Sequence, residues 1–344
     1  MDEQVSIKQN DISQGFEKSN DLRGREQELL KEISRELQFA PSELLWRSTW
    51  WGSDQVGAFH YRGLYNGQLA ILKVQGVKPA ASEIGMLQNF SRTNESKLVR
   101  PPHLYAVIPW ADAKGYEVLL MEDVGTAKVV PIGSVANKMQ IDKFFKAFED
   151  YRKNCRNHPW VEKQKIKQNF ILDRFSKWRL KSCELYPHYP HRAEGDELLV
   201  DRAVEILTRE YSNIQLEFQH AHLSVYDMYE VGDEIVFLSN LFWSWRPPFY
   251  DAVFAYHWFP YNSANDIPGI TAEIIDQQLG LWLQHLNVLA GDPSAVRFLK
   301  LAMLERAAAG LTLDMFIVDP TKEIAKYTAA STRRRLIELI DYFA

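Results

Sequence analysis

The run Gly57-Ala58-Phe59-His60-Tyr61-Arg62-Gly63-Leu64-Tyr65, then Asn66-Gly67, then Gln68-Leu69-Ala70-Ile71-Leu72-Lys73-Val74 reads as a hairpin. Two stretches of β-branched and aromatic residues flank an Asn-Gly pair, the residues that best tolerate the two positive φ angles of a tight turn. Outward from it, Leu44 to Trp51 reads as a preceding strand closed by a Gly52-Ser53-Asp54 turn. Before that, Leu29, Leu30, Ile33, Leu37 and Phe39 fall at helical spacing over Arg25 to Phe39, with Pro41 as the expected stop. Downstream, a helix is expected from about Pro79 to Phe90, then strands over His103–Pro109 and Tyr116–Met121 ending in Glu122-Asp123-Val124-Gly125.

After Gly125 the pattern turns helical: Ile141–Arg156, Val161–Leu185, Asp196–Tyr211 and Thr271 to the C-terminus. One short β section, Met228 to Asn240, interrupts it around a Val231-Gly232-Asp233 turn. The expected class is α+β: a small antiparallel β-sheet lobe with one helix, then a large, mainly helical lobe. The expected divisions are residues 1–40 (a polar tail to about residue 24, then a helix), 41–125 (the β-sheet lobe and hinge) and 126–344 (the helical lobe).

Bulk properties narrow the function classes. Forty Lys and Arg against forty-five Asp and Glu give a net charge of -5, which argues against nucleic acid as a general partner, since phosphate neutralisation drives that binding. Cys155 and Cys183 offer neither a disulfide framework nor zinc spacing, as expected in a reducing cytoplasm. The first residues lack the apolar core of a signal peptide, and no apolar run approaches the ~20 residues of a membrane span, so a cytoplasmic protein without a membrane partner is expected.

The chemistry concentrates in Phe218-Gln219-His220-Ala221-His222-Leu223-Ser224-Val225-Tyr226-Asp227, with Asn240 eighteen residues beyond His222 and Pro248-Phe249-Tyr250-Asp251 further on. With Lys73 on the third strand and Glu83 in the following helix, this chain resembles the aminoglycoside phosphotransferase and choline kinase branch of the protein-kinase-like superfamily, from about Leu44 to beyond Asp251. The resemblance implies that Lys73 holds the ATP α- and β-phosphates, oriented by Glu83, and that backbone groups at Glu122 and Val124 receive adenine. It implies that Asp251 braces the catalytic loop from below, with His220 a buried bracing residue.

Against the family pattern His-Gly-Asp-Leu-His-Pro-Gly-Asn, Ala221 replaces Gly and His222 replaces the Asp that accepts the substrate proton. Asp227 replaces the Asn metal ligand, and Asn240 stands where an Asp would bind magnesium. A neutral amide is a weak ligand for a hard cation, so Mg2+ binding is expected to be weakened. A positioned base contributes ~10²–10⁴ in rate. The expectation is a pseudokinase that binds a nucleotide, a small molecule or a protein partner. The alternative is an active small-molecule kinase, with Asp227 as metal ligand or base and His222 as proton shuttle. The glycine-rich loop is thin, with Gly52 and Gly57 flanking an unhelpful Asp54. A zinc reading of His220 and His222 lacks a third ligand.

Ten of the twenty residues from Phe242 to Tyr261 are Phe, Trp or Tyr. Core packing accounts for most of them. Trp243, Trp245 and Arg246 are expected nearest a cleft, as a cation cage or a partner surface. The runs Arg333-Arg334-Arg335 and Lys163, Lys165, Lys167 read as solvated helix faces.

Overall fold

The computed structural model describes residues 20–48, 58–76, 82–163, 169–212 and 214–344. The tail before residue 20, the segment containing Gly52, Asp54 and Gly57, Pro79 at the expected helix start, and Lys165 and Lys167 lie outside the described residues. Among those described, no helix is long and apolar enough to cross a membrane.

The chain divides into two compact units, one of residues 1–93 and 100–126, the other of residues 94–99 and 127–344. In the first, helix α1 (Asn20–Leu37) stops because Gln38 takes a left-handed φ of 55°. Pro41 does not end it. Strand β1 (Phe39–Ser48) has already begun there and is an edge strand, where a residue without N–H breaks no ladder. A bulge between Pro41 and Glu43 absorbs the misfit. Strands β2 (Ala58–Tyr65) and β3 (Gln68–Gln75) form the hairpin, turning at Asn66 (φ 50°) and Gly67 (φ 79°).

Helix α2 (Glu83–Thr93) follows; β4 (Val99–Arg100) straddles the division between the units, and β5 (Leu104–Ala111) and β6 (Tyr116–Glu122) continue the first. The five-stranded antiparallel sheet has the order β1-β2-β3-β6-β5. The two-residue period of a strand sorts its faces. Phe59, Leu72, Val74, Val118 and Leu120 pack with Ile33 of α1, against which Leu29, Leu30 and Leu37 also lie. Each such side chain contributes ~1.5–3 kcal/mol on burial. The opposite face carries Leu119 against Ile84 and Leu87 of α2, and on the same face stand His60 and Lys73.

In the second unit, α3 (Lys138–Asn157) starts on a capping box between Asn137 and Gln140. Helices α4 (Phe170–Leu185) and α5 (Asp196–Tyr211) follow, then strand β7 (Glu217–Gln219), hairpin β8 (Met228–Val231) and β9 (Glu234–Phe237), and β10 (Ser244–Arg246), which pairs with β7. Helices α6 (Tyr250–Asp266), α7 (Ala272–Ala290), α8 (Pro293–Thr312) and α9 (Glu323–Phe343) complete it. The expected helix from Val161 begins only at Phe170. The pattern from Thr271 onward is three helices, the second opened by an Asp292 cap with Pro293 at its first turn.

Helix α6 is absent from the sequence reading for a physical reason. Thirteen of its residues are buried, so no polar stripe marks a helical period, and Pro260 lies within it. The Arg333–Arg335 run is not a solvated face either. Arg333 is bonded to both carboxylate oxygens of Asp196 at 2.5 and 2.8 Å, and Arg335 lies over the Tyr256 ring; only Arg334 is exposed.

Gly63 faces the β1 bulge. A Cβ there would stand 2.2 Å from the Ala40 carbonyl oxygen and 2.5 Å from the Phe39 ring. The carbonyl belongs to the backbone and cannot swing aside. Gly63→Ala is expected to destabilise the chain by about 2–4 kcal/mol, read as a lower denaturant midpoint. A midpoint equal to wild type would show that the bulge adapts freely.

Candidate functional site

In the first unit, Lys73 Nζ donates to Glu83 Oε2 at 2.5 Å, with both side chains largely buried. The strand points Lys73 to the α2 side, and Glu83 at the first turn of that helix meets it. His60, the cross-strand partner of Lys73, is held near pKa 3 by burial and then by the Lys73 charge, so it is neutral. Its Nε2 is buried without a hydrogen-bond partner. Glu117, 1% exposed, has its pKa pushed up to about 7 by burial and the neighbouring Glu83, against the pull of Lys73. The sequence reading missed His60 and Glu117. Both sit at inward strand positions, but polar residues on a strand usually signal the solvent face.

Glu122 is engaged within its unit: its N–H donates to the His103 carbonyl at 3.0 Å, and its carboxylate pairs with Arg100 at 2.5 Å. Val124 lies in the irregular segment before Gly125, whose amide bonds the Asp123 side chain at 2.9 Å.

In the second unit, β7 delivers the 220–227 loop. His220 is fully buried, its Nε2 3.0 Å from the Leu238 carbonyl, and burial lowers its pKa to about 4. Beneath the loop, Asp251 is wholly buried and accepts from the Tyr151 hydroxyl. Burial raises its pKa to about 6, while Tyr151 and the amides of Leu223 and Ala221 pull it down. Gln219 ties the same region, donating to the Pro247 carbonyl at 2.7 Å and accepting from the Asp251 amide at 3.2 Å.

The loop brings His222 and Asp227 together. His222 Nδ1 lies 3.8 Å from Asp227 Oδ2, beyond hydrogen-bond distance. The imidazole is stacked on Phe242 at 4.4 Å and tilted against Phe254 at 4.8 Å. Asp227 accepts from Ser224 at 2.8 Å and Ser239 at 2.5 Å. Burial pushes its pKa up, but His222 and the two hydroxyls outweigh that and hold it at about 2, so Asp227 is ionised. Lys128, also unforeseen, is lowered to about 8 by burial, against the attraction of Asp227; its ammonium donates to the Tyr226 carbonyl and sits 3.3 Å from the Tyr229 ring centre.

Asn240 points elsewhere. It is 1% exposed, its Nδ2 donates to the Phe237 carbonyl at 2.7 Å, and its Oδ1 accepts from Trp243 Nε1 at 3.1 Å. Trp243 is buried against Trp160, Phe218 and His220 rather than facing a cleft. Trp245 is half-buried and donates to the Val161 carbonyl at 2.8 Å. Among the described residues, no three His, Cys, Asp or Glu side chains gather as a metal site. Of the two expected metal ligands, Asp227 already accepts two hydroxyls and Asn240 is turned to Phe237 and Trp243.

The Glu117 environment predicts a pH dependence. A carboxyl raised in the fold gives stability that is complete below its ordinary pKa of 4.5 and is lost as pH rises through about 7. That displacement corresponds to about 3 kcal/mol. Glu117→Gln is expected to remove this decline, so the unfolding free energies of variant and wild type should diverge between pH 4.5 and 7.5. Parallel profiles over that range would exclude a buried, titrating Glu117.

No family model and no curated protein matches the sequence. Solved structures do match. The aminoglycoside phosphotransferase APH(4)-Ia is 12% identical with a TM-score of 0.56, over 92% of this chain and 98% of that one. The amicoumacin kinase hAmiN, in complex with AMP-PNP, Ca2+ and amicoumacin, is 14% identical with a TM-score of 0.50, over 94% and 96%. A choline kinase from Cryptosporidium parvum Iowa II is 12% identical with a TM-score of 0.51, over 92% and 97%. The chain therefore has the two-lobed protein-kinase-like fold shared by aminoglycoside phosphotransferases and choline kinases.

Proposed function

We propose that this chain is a kinase-like ligand-binding protein whose fold persists without phosphoryl-transfer chemistry. The observation that supports this most is Asn240. The position that would supply a metal-binding carboxylate holds a buried amide, one N–H of which donates to Phe237 while its oxygen accepts from Trp243. Phosphoryl transfer rests on charge neutralisation and positioning, so the missing metal ligand weighs more than the missing base. At the base position, His222 is wedged between Phe242 and Phe254.

The ligand we infer is a nucleotide or a phosphate-bearing small molecule. Lys73, aimed by Glu83, would take its phosphates, with backbone groups at Glu122 and Val124 toward the base. APH(4)-Ia has been solved with ADP or AMP-PNP together with hygromycin B, which supports a nucleotide as the class of ligand to test. A protein partner is less supported. Seven of the ten aromatic rings between Phe242 and Tyr261 are buried, which leaves Phe242, Trp245 and Trp258 partly exposed.

A second reading has its own support. The ionised Asp227, 3.8 Å from His222, is a pair that could take up a hydroxyl proton in an active, rearranged kinase.

Thermal-shift titration with AMP-PNP, in EDTA and in Mg2+, separates the readings. A nucleotide-binding pseudokinase should be stabilised equally in both, by about 2.7 kcal/mol at a hundredfold excess over Kd. Lys73→Ala should abolish that gain, and ATP should not be consumed. Magnesium-dependent stabilisation with ATP consumption would overturn the proposal. In that event Asp227→Ala should remove turnover, and retained turnover would rule out Asp227 as the base.

A further inference from the structure

Within the second unit, a cavity of about 580 Å³ opens between the end of α3, strand β7, strand β10 and the start of α8. Its volume falls in the range of pockets for drug-sized ligands. None of the loop residues His220, His222, Asp227 or Asn240 lines it.

Charge and ring chemistry in the cavity are complementary to one kind of ligand. Arg152, Arg156 and Lys163 line it, against a single carboxylate, Glu217. Arg152 grips both Glu217 oxygens at 2.8 and 3.0 Å, and Arg156 bonds one of them as well. One carboxylate between two guanidinium groups leaves an uncompensated positive charge, and Lys163 adds a second. Arg156 and Lys163 are exposed, so both can turn toward an entering anion.

The walls are aromatic and fixed. Trp245 is anchored through Nε1 to the Val161 carbonyl at 2.8 Å, with Lys163 5.4 Å from its ring centre. Phe249 holds the Arg152 guanidinium 4.1 Å from its ring centre and has a left-handed φ of 69°. A non-glycine residue in that region stores ~1–3 kcal/mol, and strain of this kind concentrates at binding sites. Phe218 of β7 and Phe298 of α8 are the other two lining rings.

We propose that this cavity is a binding site for a planar aromatic anion, an aryl group bearing a phosphate, carboxylate or sulfonate. The ring lies against Trp245 and Phe298, and the anionic group meets Arg156 and Lys163. The proposal is independent of whether the loop supports catalysis.

The probe is 1-naphthyl phosphate, titrated into the full chain by calorimetry at low salt. Saturable 1:1 binding is expected. It should weaken by about tenfold or more in Trp245→Leu and in the double variant Arg156→Gln, Lys163→Gln, and should weaken as salt is raised. It should be unchanged in Lys73→Ala and in the presence of AMP-PNP, which separates this cavity from a nucleotide site. The double variant changes two exposed side chains, so near-UV circular dichroism should match wild type. Absence of saturable binding, competition by AMP-PNP, or wild-type affinity in both cavity variants would each overturn the assignment.

Discussion

The 220–227 loop rests on Asp251. This carboxylate is wholly buried beneath the loop and accepts from the Tyr151 hydroxyl through one oxygen, with the Ala221 and Leu223 amides close by. A buried acid is costly unless it is hydrogen-bonded, so the surrounding backbone must come to it. Gln219 reinforces the arrangement by linking the Pro247 carbonyl to the Asp251 amide. Loop, β10 and the start of α6 are thereby held as one piece, and the side chains on the loop have defined positions whether or not they perform catalysis.

The same piece contains three of the non-glycine residues with left-handed backbone: Ala221 (φ 65°), Ser239 (φ 57°) and Phe249 (φ 69°). Each costs about 1–3 kcal/mol. Ala221 takes this backbone without being a glycine, the residue that adopts it at least cost. Ser239 is turned so that its hydroxyl reaches Asp227, and Phe249 is turned against Arg152.

Within that frame some polar groups are paired and others are not. Asn240 bonds Phe237 and Trp243, Asp227 accepts from two hydroxyls, and His222 is packed between two rings with its Nδ1 unbonded. A catalytic site usually leaves donors and acceptors aimed at where the substrate will be. Here Asn240 is satisfied internally. Buried polar atoms without a hydrogen-bond partner occur in both units: His220 Nδ1, His222 Nδ1 and Asp251 Oδ1 around the loop, and His60 Nε2 and Glu117 Oε1 beside the Lys73–Glu83 pair.

Much of this was legible in the residues themselves. Asn66-Gly67 specified the hairpin because few other pairs accept two positive φ angles, and the two-residue period put Lys73 on the face opposite the main sheet core. The spacing of His220, His222, Asp227, Asn240 and Asp251 marked the frame of the loop. Local pattern could not show helix α6, whose burial on nearly all sides erases the amphipathic signal, nor that Pro41 lies in an edge strand. The destinations of polar atoms also required the tertiary structure. Whether Asn240 turns toward a ligand or toward Trp243, and whether Arg333 is solvated or bound to Asp196, depends on neighbours far away in sequence. Sequence determined which groups are available, through backbone preference and periodicity that act over a few residues. Only the packed fold decided which are spent, because hydrogen-bond satisfaction and desolvation depend on everything brought within a few ångströms.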